Sequence, residues 1–252
     1  MITILLIRGL SRQQGHWGEF SKILTQALNN QGLEANLVFE DLPGFGSRYQ
    51  QKSPVSIEKI AELLAPTLVR LHQETSRKVH LLGISMGGMI ALALAQRFPD
   101  YCESLIMINS SVKPVSKFYQ RLQPTAYPAI LKAWFHPNKR QSERAILNIS
   151  TEYYKNDSLI LARWLALRTQ FPPSRQAALR QMIAASVFRT PVRPPVKKVL
   201  LIAAKNDRIA HYSCTLNLAK LWGLPYLLHA QAGHDLALDD PEWLASQITF
   251  FI

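Results

Sequence analysis

The chain has 252 residues, 48% of them hydrophobic and 18% charged, which is enough length to bury a full core and too little charge for a disordered chain. Its two cysteines, Cys102 and Cys214, cannot build a disulfide framework or a four-ligand zinc site and read as reduced thiols of a cytoplasmic protein. The formal net charge of +12 points toward acidic partners, while no apolar run approaches the ~20 residues of a membrane span.

Residues 1–7 form a continuous apolar, β-branched run, the pattern of a strand buried on both faces of a parallel sheet. No basic segment precedes the run and no small-residue cleavage site follows it, so a signal peptide is not expected. Arg8-Gly9-Leu10-Ser11 breaks it. Trp17, Phe20, Ile23, Leu24, Ala27 and Leu28 then recur at helical spacing, and Gly32 closes that helix. Residues 33–39 read as a second strand, which runs into the turn-rich segment Asp41-Leu42-Pro43-Gly44-Phe45-Gly46-Ser47. An amphipathic helix over 56–75, a strand over 79–82, an Ala- and Leu-rich helix over 89–98 and a strand over 105–108 follow.

The alternation stops at Ser110 and resumes near Lys197. A strand over 199–203, a helix over 211–222, a strand over 226–228 and a closing helix over 241–251 complete the chain. Asp240 suits the N-cap of that last helix and Pro241 its first position, with Asp235 and Asp239 serving the same helix end. Strands alternating with helices predict an α/β fold, a mostly parallel sheet of about six strands flanked by helices. Residues 112–196 contain helical pattern, several prolines and no convincing strand. They are predicted to be a helical insertion that divides the core into 1–111 and 197–252.

Gly83-Ile84-Ser85-Met86-Gly87 matches G-x-S-x-G, and its context sharpens the match: a strand ends at the first glycine and a helix begins after the serine. Such a turn holds a serine at the carboxyl edge of the sheet, where strand and helix backbones approach too closely for larger neighbours. The helix N-terminus then directs free amides and a positive dipole at a developing oxyanion. A phosphate loop of the Walker type would need Gly-Lys-Ser/Thr, which is absent. A dinucleotide fingerprint would need an acid at the end of the next strand, where Asn109 stands.

A serine hydroxyl needs a base. Of seven histidines, His234 follows the last strand in Gly233-His234-Asp235 and falls at the same sheet edge as Ser85. His229 is its rival, and the strand period aims it at a core face or an edge. His80 reads as a structural histidine, His211 as a helix cap, and His16 as either a cap or a residue facing the site. The acid must orient the imidazole and stabilise its cation. Asp207, just past the fifth strand, fits that place, with helix capping as the alternative.

Taken together, these residues resemble the α/β-hydrolase superfamily over nearly the whole core. The Gly-x-Ser-x-Gly-Gly elbow, Asp207, Gly233-His234 and the segment 41–47, similar to D-x-P-G-x-G-x-S, carry the likeness. The resemblance implies a serine hydrolase acting on a carboxylic ester, or alternatively a thioester, without cofactor or metal. It implies an oxyanion hole from the amides of Met86 and Leu10, and a cap over the site formed by 112–196. Arg8 stands where the family commonly has histidine, either paired with an acid near the pocket or packed structurally. Relatives that open epoxides or haloalkanes carry a carboxylate where this chain has Ser85. A non-catalytic binding protein on the same fold is the alternative of another class.

The charge is concentrated. Residues 112–196 hold 14 Lys and Arg against 3 Asp and Glu, whereas the remainder holds 15 against 14. The near-neutral core argues against nucleic acid. In one esterase branch of the resembling family a basic cap meets an acidic acyl carrier protein, and Arg140, Arg144, Arg163 and Arg168 are the corresponding candidates here. Tyr119, Trp134, Phe135, Tyr153, Tyr154 and Trp164 are expected to be cap core or pocket lining.

Overall fold

The computed structural model describes residues 1–252. Six strands form one sheet: β1 (Ile2–Ile7), β2 (Ala35–Glu40), β3 (Val79–Ile84), β4 (Cys102–Ile108), β5 (Lys198–Ala204) and β6 (Leu227–His229). Their order is β2-β1-β3-β4-β5-β6, and every neighbouring pair is parallel. The chain therefore steps outward from β1 to β2 and then back across to β3. That reversal opens a crevice at the carboxyl ends of β1 and β3, the place where open α/β sheets bind ligands.

The core helices are α1 (Phe20–Asn30), α2 (Ile57–Thr75) and α3 (Met86–Arg97). The insertion contributes α4 (Phe118–Arg121), α5 (Tyr127–Phe135), α6 (Lys139–Ser150), α7 (Ser158–Gln170) and α8 (Arg175–Val187). After β5 come α9 (Ser213–Trp222), α10 (Leu236–Asp239) and α11 (Pro241–Phe251). None is long and apolar enough to cross a membrane.

The apolar strands serve two cores at once. Leu5, Ile7, Leu81, Leu105, Met107 and Leu201 face α2, α3 and α9. Ile4, Leu6, Leu82, Ile106, Ile108 and Ile202 face α1 and α11. A period of two is thus hidden in runs that are apolar throughout, because helices cover both faces. Helix α3 is buried from Met86 through Ala95, as a helix wrapped on all sides must be.

Five details depart from the sequence reading. Residues Gln14–Trp17 form a separate short turn ending at Gly18, so α1 starts at Phe20 rather than Trp17. Helix α3 starts at Met86, directly behind Ser85, and α10 was not foreseen. The insertion is helical, but its last helix enters the main core, where Ala184 and Phe188 are buried with α2 and α3 residues. Among the cap aromatics Trp164 is buried, whereas Phe135, Tyr119 and Tyr153 lie on the surface at 72%, 43% and 48% exposure. On α5 the two adjacent aromatics part company, Trp134 turning to the cavity and Phe135 to solvent, because neighbours on a helix point about 100° apart.

Candidate active site

The turn between β3 and α3 is built by close approach. A Cβ on Gly83 would sit 2.3 Å from the Gly87 carbonyl, one on Gly87 2.1 Å from the Ile7 oxygen, and one on Gly88 2.9 Å from the Ser110 side chain. Ser85, at the tip, has φ +58°, a conformation costing a non-glycine residue about 1–3 kcal/mol. The surroundings hold it there. Its amide donates to the Ile108 carbonyl at 2.8 Å, and the Ser110 hydroxyl donates to its carbonyl at 2.8 Å.

Asp207 follows β5, and one of its oxygens accepts the amides of Ile209 (2.7 Å) and Ala210 (2.9 Å). The other lies 2.7 Å from His234 Nδ1. One oxygen thus serves the turn that follows β5, and the other faces the imidazole. With Nδ1 taken up by Asp207, Nε2 is the other ring nitrogen of His234. Asn109 holds this arrangement together, donating to the His234 carbonyl at 2.8 Å and accepting from the Ala204 amide at 2.7 Å. In the sequence the only sign of that role is a polar residue ending an apolar strand.

Ser85, His234, Met86 and Leu10 line one cavity of about 550 Å³ between core and cap. Its walls include Phe45, Met89, Trp134, Ile146 and Met182. Ser85 and His234 share the cavity without a direct hydrogen bond between them, a looseness common in unliganded serine–histidine sites. No loop or cap hydrogen bond uses the amides of Leu10 or Met86. Gly9 lies against the elbow: a Cβ there would meet the Ser85 side chain at 3.0 Å.

Arg8 has a definite partner. Its guanidinium donates to both oxygens of Asp235, at 2.6 and 3.1 Å, with both side chains almost fully buried, and its charge lies 4.9 Å from the Trp17 ring centroid. Asp235 therefore serves Arg8 and not the last helix; Asp240 alone caps α11, accepting from the Trp243 amide. Asp239 accepts instead from the amides of Gly233, Glu152 and Tyr153, tying the cap to the histidine loop.

The other histidines have structural partners. His229 Nε2 contacts Asp240, His80 contacts Ser104, and His211 accepts from the Ser213 amide. His16 is buried edge-on against Trp164, and burial followed by Arg12 and Arg8 pushes its imidazole well below the usual range. Burial drives the Cys102 and Cys214 thiols up to about 12 and about 11, so neither is a ready nucleophile. Of the four cap arginines, Arg140 and Arg163 are exposed, Arg144 is half-buried, and Arg168 reaches the cavity wall.

Comparison with known proteins agrees with this architecture. A pimeloyl-[acyl-carrier protein] methyl ester esterase of Vibrio parahaemolyticus is 25% identical over 229 residues, covering 89% of this chain and 79% of that one. A Caulobacter segnis protein named for carbamate hydrolysis, RutD, is 25% identical over 249 residues, covering 95% and 87%. Among solved structures, a thermophilic esterase from Thermogutta terrifontis superposes with a TM-score of 0.71 at 20% identity, covering 98% of this chain and 88% of that one. The model of the alpha/beta hydrolase family matches residues 4–247. With its sheet order and elbow already explained by the chain's own residues, the protein belongs to the alpha/beta hydrolase family and is a hydrolase.

Proposed function

We propose that the protein hydrolyses a carboxylic ester through Ser85, His234 and Asp207. The observation that carries this reading is the 2.7 Å contact of His234 with buried Asp207 at the wall of the cavity that also holds Ser85 on its strained turn. His234 Nε2 takes the Ser85 proton as the oxygen attacks the ester carbonyl, and the amides of Met86 and Leu10 receive the oxyanion. Asp207 fixes the imidazole tautomer and stabilises its cation. The acyl–oxygen bond breaks, and the proton on His234 passes to the departing alcohol. Water, deprotonated by His234, then releases the acid from Ser85. A thioester can follow the same course, with a thiol leaving.

The test is a fluorophosphonate probe combined with turnover of p-nitrophenyl butyrate. The native chain is expected to label and turn over, with Ser85→Ala abolishing labelling and lowering turnover by about a thousandfold or more. A native chain that neither labels nor turns over esters would overturn the assignment of ester hydrolysis to Ser85. A second reading concerns the substrate's carrier. Exposed Arg140 and Arg163 on a strongly basic cap, together with a relative named for an acyl-carrier-protein ester, favour an acyl group delivered by an acidic carrier protein.

A further inference from the structure

The cavity wall is unevenly charged. Arg8, Arg12, Lys113, Arg121, Arg168 and Arg175 reach it, against two carboxylates, Glu143 and Asp235. Asp235 is taken up by Arg8 in a two-pronged pair. Glu143 alone serves both Arg168, at 2.6 Å, and Arg12, at 3.3 Å. Arg121 donates only to the carbonyls of Ala185 and Ser186. Two guanidiniums thus share one carboxylate, inside a cavity that is otherwise largely apolar.

This cluster is not a solvated surface. The side chains of Arg12, Glu143 and Arg168 are 11%, 9% and 21% exposed. Arg12 stacks on buried Trp164, with its charge 4.0 Å from the ring centroid. His16, beside Arg12 Nη1 at 3.3 Å, is held neutral by its burial and by the neighbouring guanidiniums, so it adds no further positive charge and brings no negative one. Arg12 Nη2 and Arg168 Nε are buried with no acceptor in the protein. Holding an excess positive charge and unpaired donors out of water is costly unless a counter-charge arrives. The group that best matches paired guanidiniums is a planar carboxylate.

The cluster also lies close to the reacting centre. The Arg12 amide donates to the Gly9 carbonyl at 3.2 Å, closing a tight turn, and Gly9 abuts Ser85. Arg12 is therefore carried on the same turn as the Leu10 amide.

We propose that Arg12 and Arg168 form a carboxylate-binding subsite of the cavity, and that the preferred substrate is an ester bearing a free carboxylate, such as the half-ester of a short dicarboxylic acid. This rests on the ester-hydrolase reading above for the reaction, but not for binding. Two measurements separate them. Calorimetric titration of succinate, glutarate and adipate into the Ser85→Ala chain, each compared with its dimethyl ester, reads the subsite without turnover. Steady-state kinetics of the monomethyl and dimethyl esters on the native chain read the preference. At least one diacid is expected to bind about tenfold or more tightly than its dimethyl ester, and the matching monomethyl ester to be preferred by a similar factor, expressed in KM. Arg168→Gln should remove most of that preference, and Arg168→Lys should restore part of it, which a merely structural role would not do. If no diacid binds and both ester forms react alike, the subsite is overturned while the ester hydrolase stands. If no ester reacts and no probe labels Ser85, the reaction is wrong, and the diacid titration still decides the subsite.

Discussion

The Arg8–Asp235 pair illustrates how one residue choice forces another. A guanidinium at the end of β1 is buried beside the elbow, where a charge left alone would be prohibitive. Asp235 neutralises it with matching fork geometry, at a position one residue beyond His234. Asp235→Asn should cost about 3 kcal/mol or more in urea unfolding, because it leaves Arg8 charged and unpaired. Arg8→Met combined with Asp235→Leu should lose less than the single change, since no buried charge remains. Additive losses would mean that the two side chains are not energetically coupled. Arg8 was visible in the sequence as a departure, but its partner was 227 residues away and Asp235 looked like helix-end chemistry.

At the scale of elements, the sheet carries a buried histidine that sets an acid limit. His80 on β3 faces Ser104 on β4 at 2.8 Å, and burial, partly offset by Glu103 and reinforced by Lys198, lowers its pKa to about 4. An unfolded histidine takes its proton near pH 6.5. Between about pH 6.5 and 4 the unfolded chain binds more protons than the folded one, so stability falls as the pH falls through that window. The full loss from this group is about 3 kcal/mol. Urea midpoints measured from pH 7 down to pH 4 should decline, and His80→Gln should flatten part of the slope; an unchanged slope would remove His80 as its source. Elements of this kind were legible early because strand, helix and turn signals are local. Helix α3 was placed three residues late, because its first turn is glycine-rich and shows its role only when packed on Ile7 and Ser110.

At the scale of the molecule, charge and cap act together. The core is near neutral, and the excess of Lys and Arg lies in 112–196. If an acidic carrier delivers the substrate, kcat/KM for an acyl-carrier ester should fall about tenfold or more from low to physiological salt. Arg140→Glu with Arg163→Glu should lower it similarly, while p-nitrophenyl butyrate turnover should respond weakly to salt. Equal salt responses for carrier-bound and small esters would leave the cap's charge as a solvated face. The cap is also mechanically joined to the histidine loop through Asp239 and the Ser150 carbonyl, which accepts the Asp235 amide at 2.7 Å. Its seating therefore bears directly on where His234 stands.

The order of strands and helices, the parallel sheet and the positions of Ser85, Asp207 and His234 at strand ends could be read from the chain, because periodicity, turn residues and short motifs are local properties. Tertiary structure decided what lies far apart in sequence yet close in space. It assigned Asp235 to Arg8, gave Asn109 to the histidine loop, turned Arg168 inward onto Glu143, and left Phe135 in solvent. Each of those outcomes depends on which faces meet when cap closes on core, and no stretch of sequence carries that information alone.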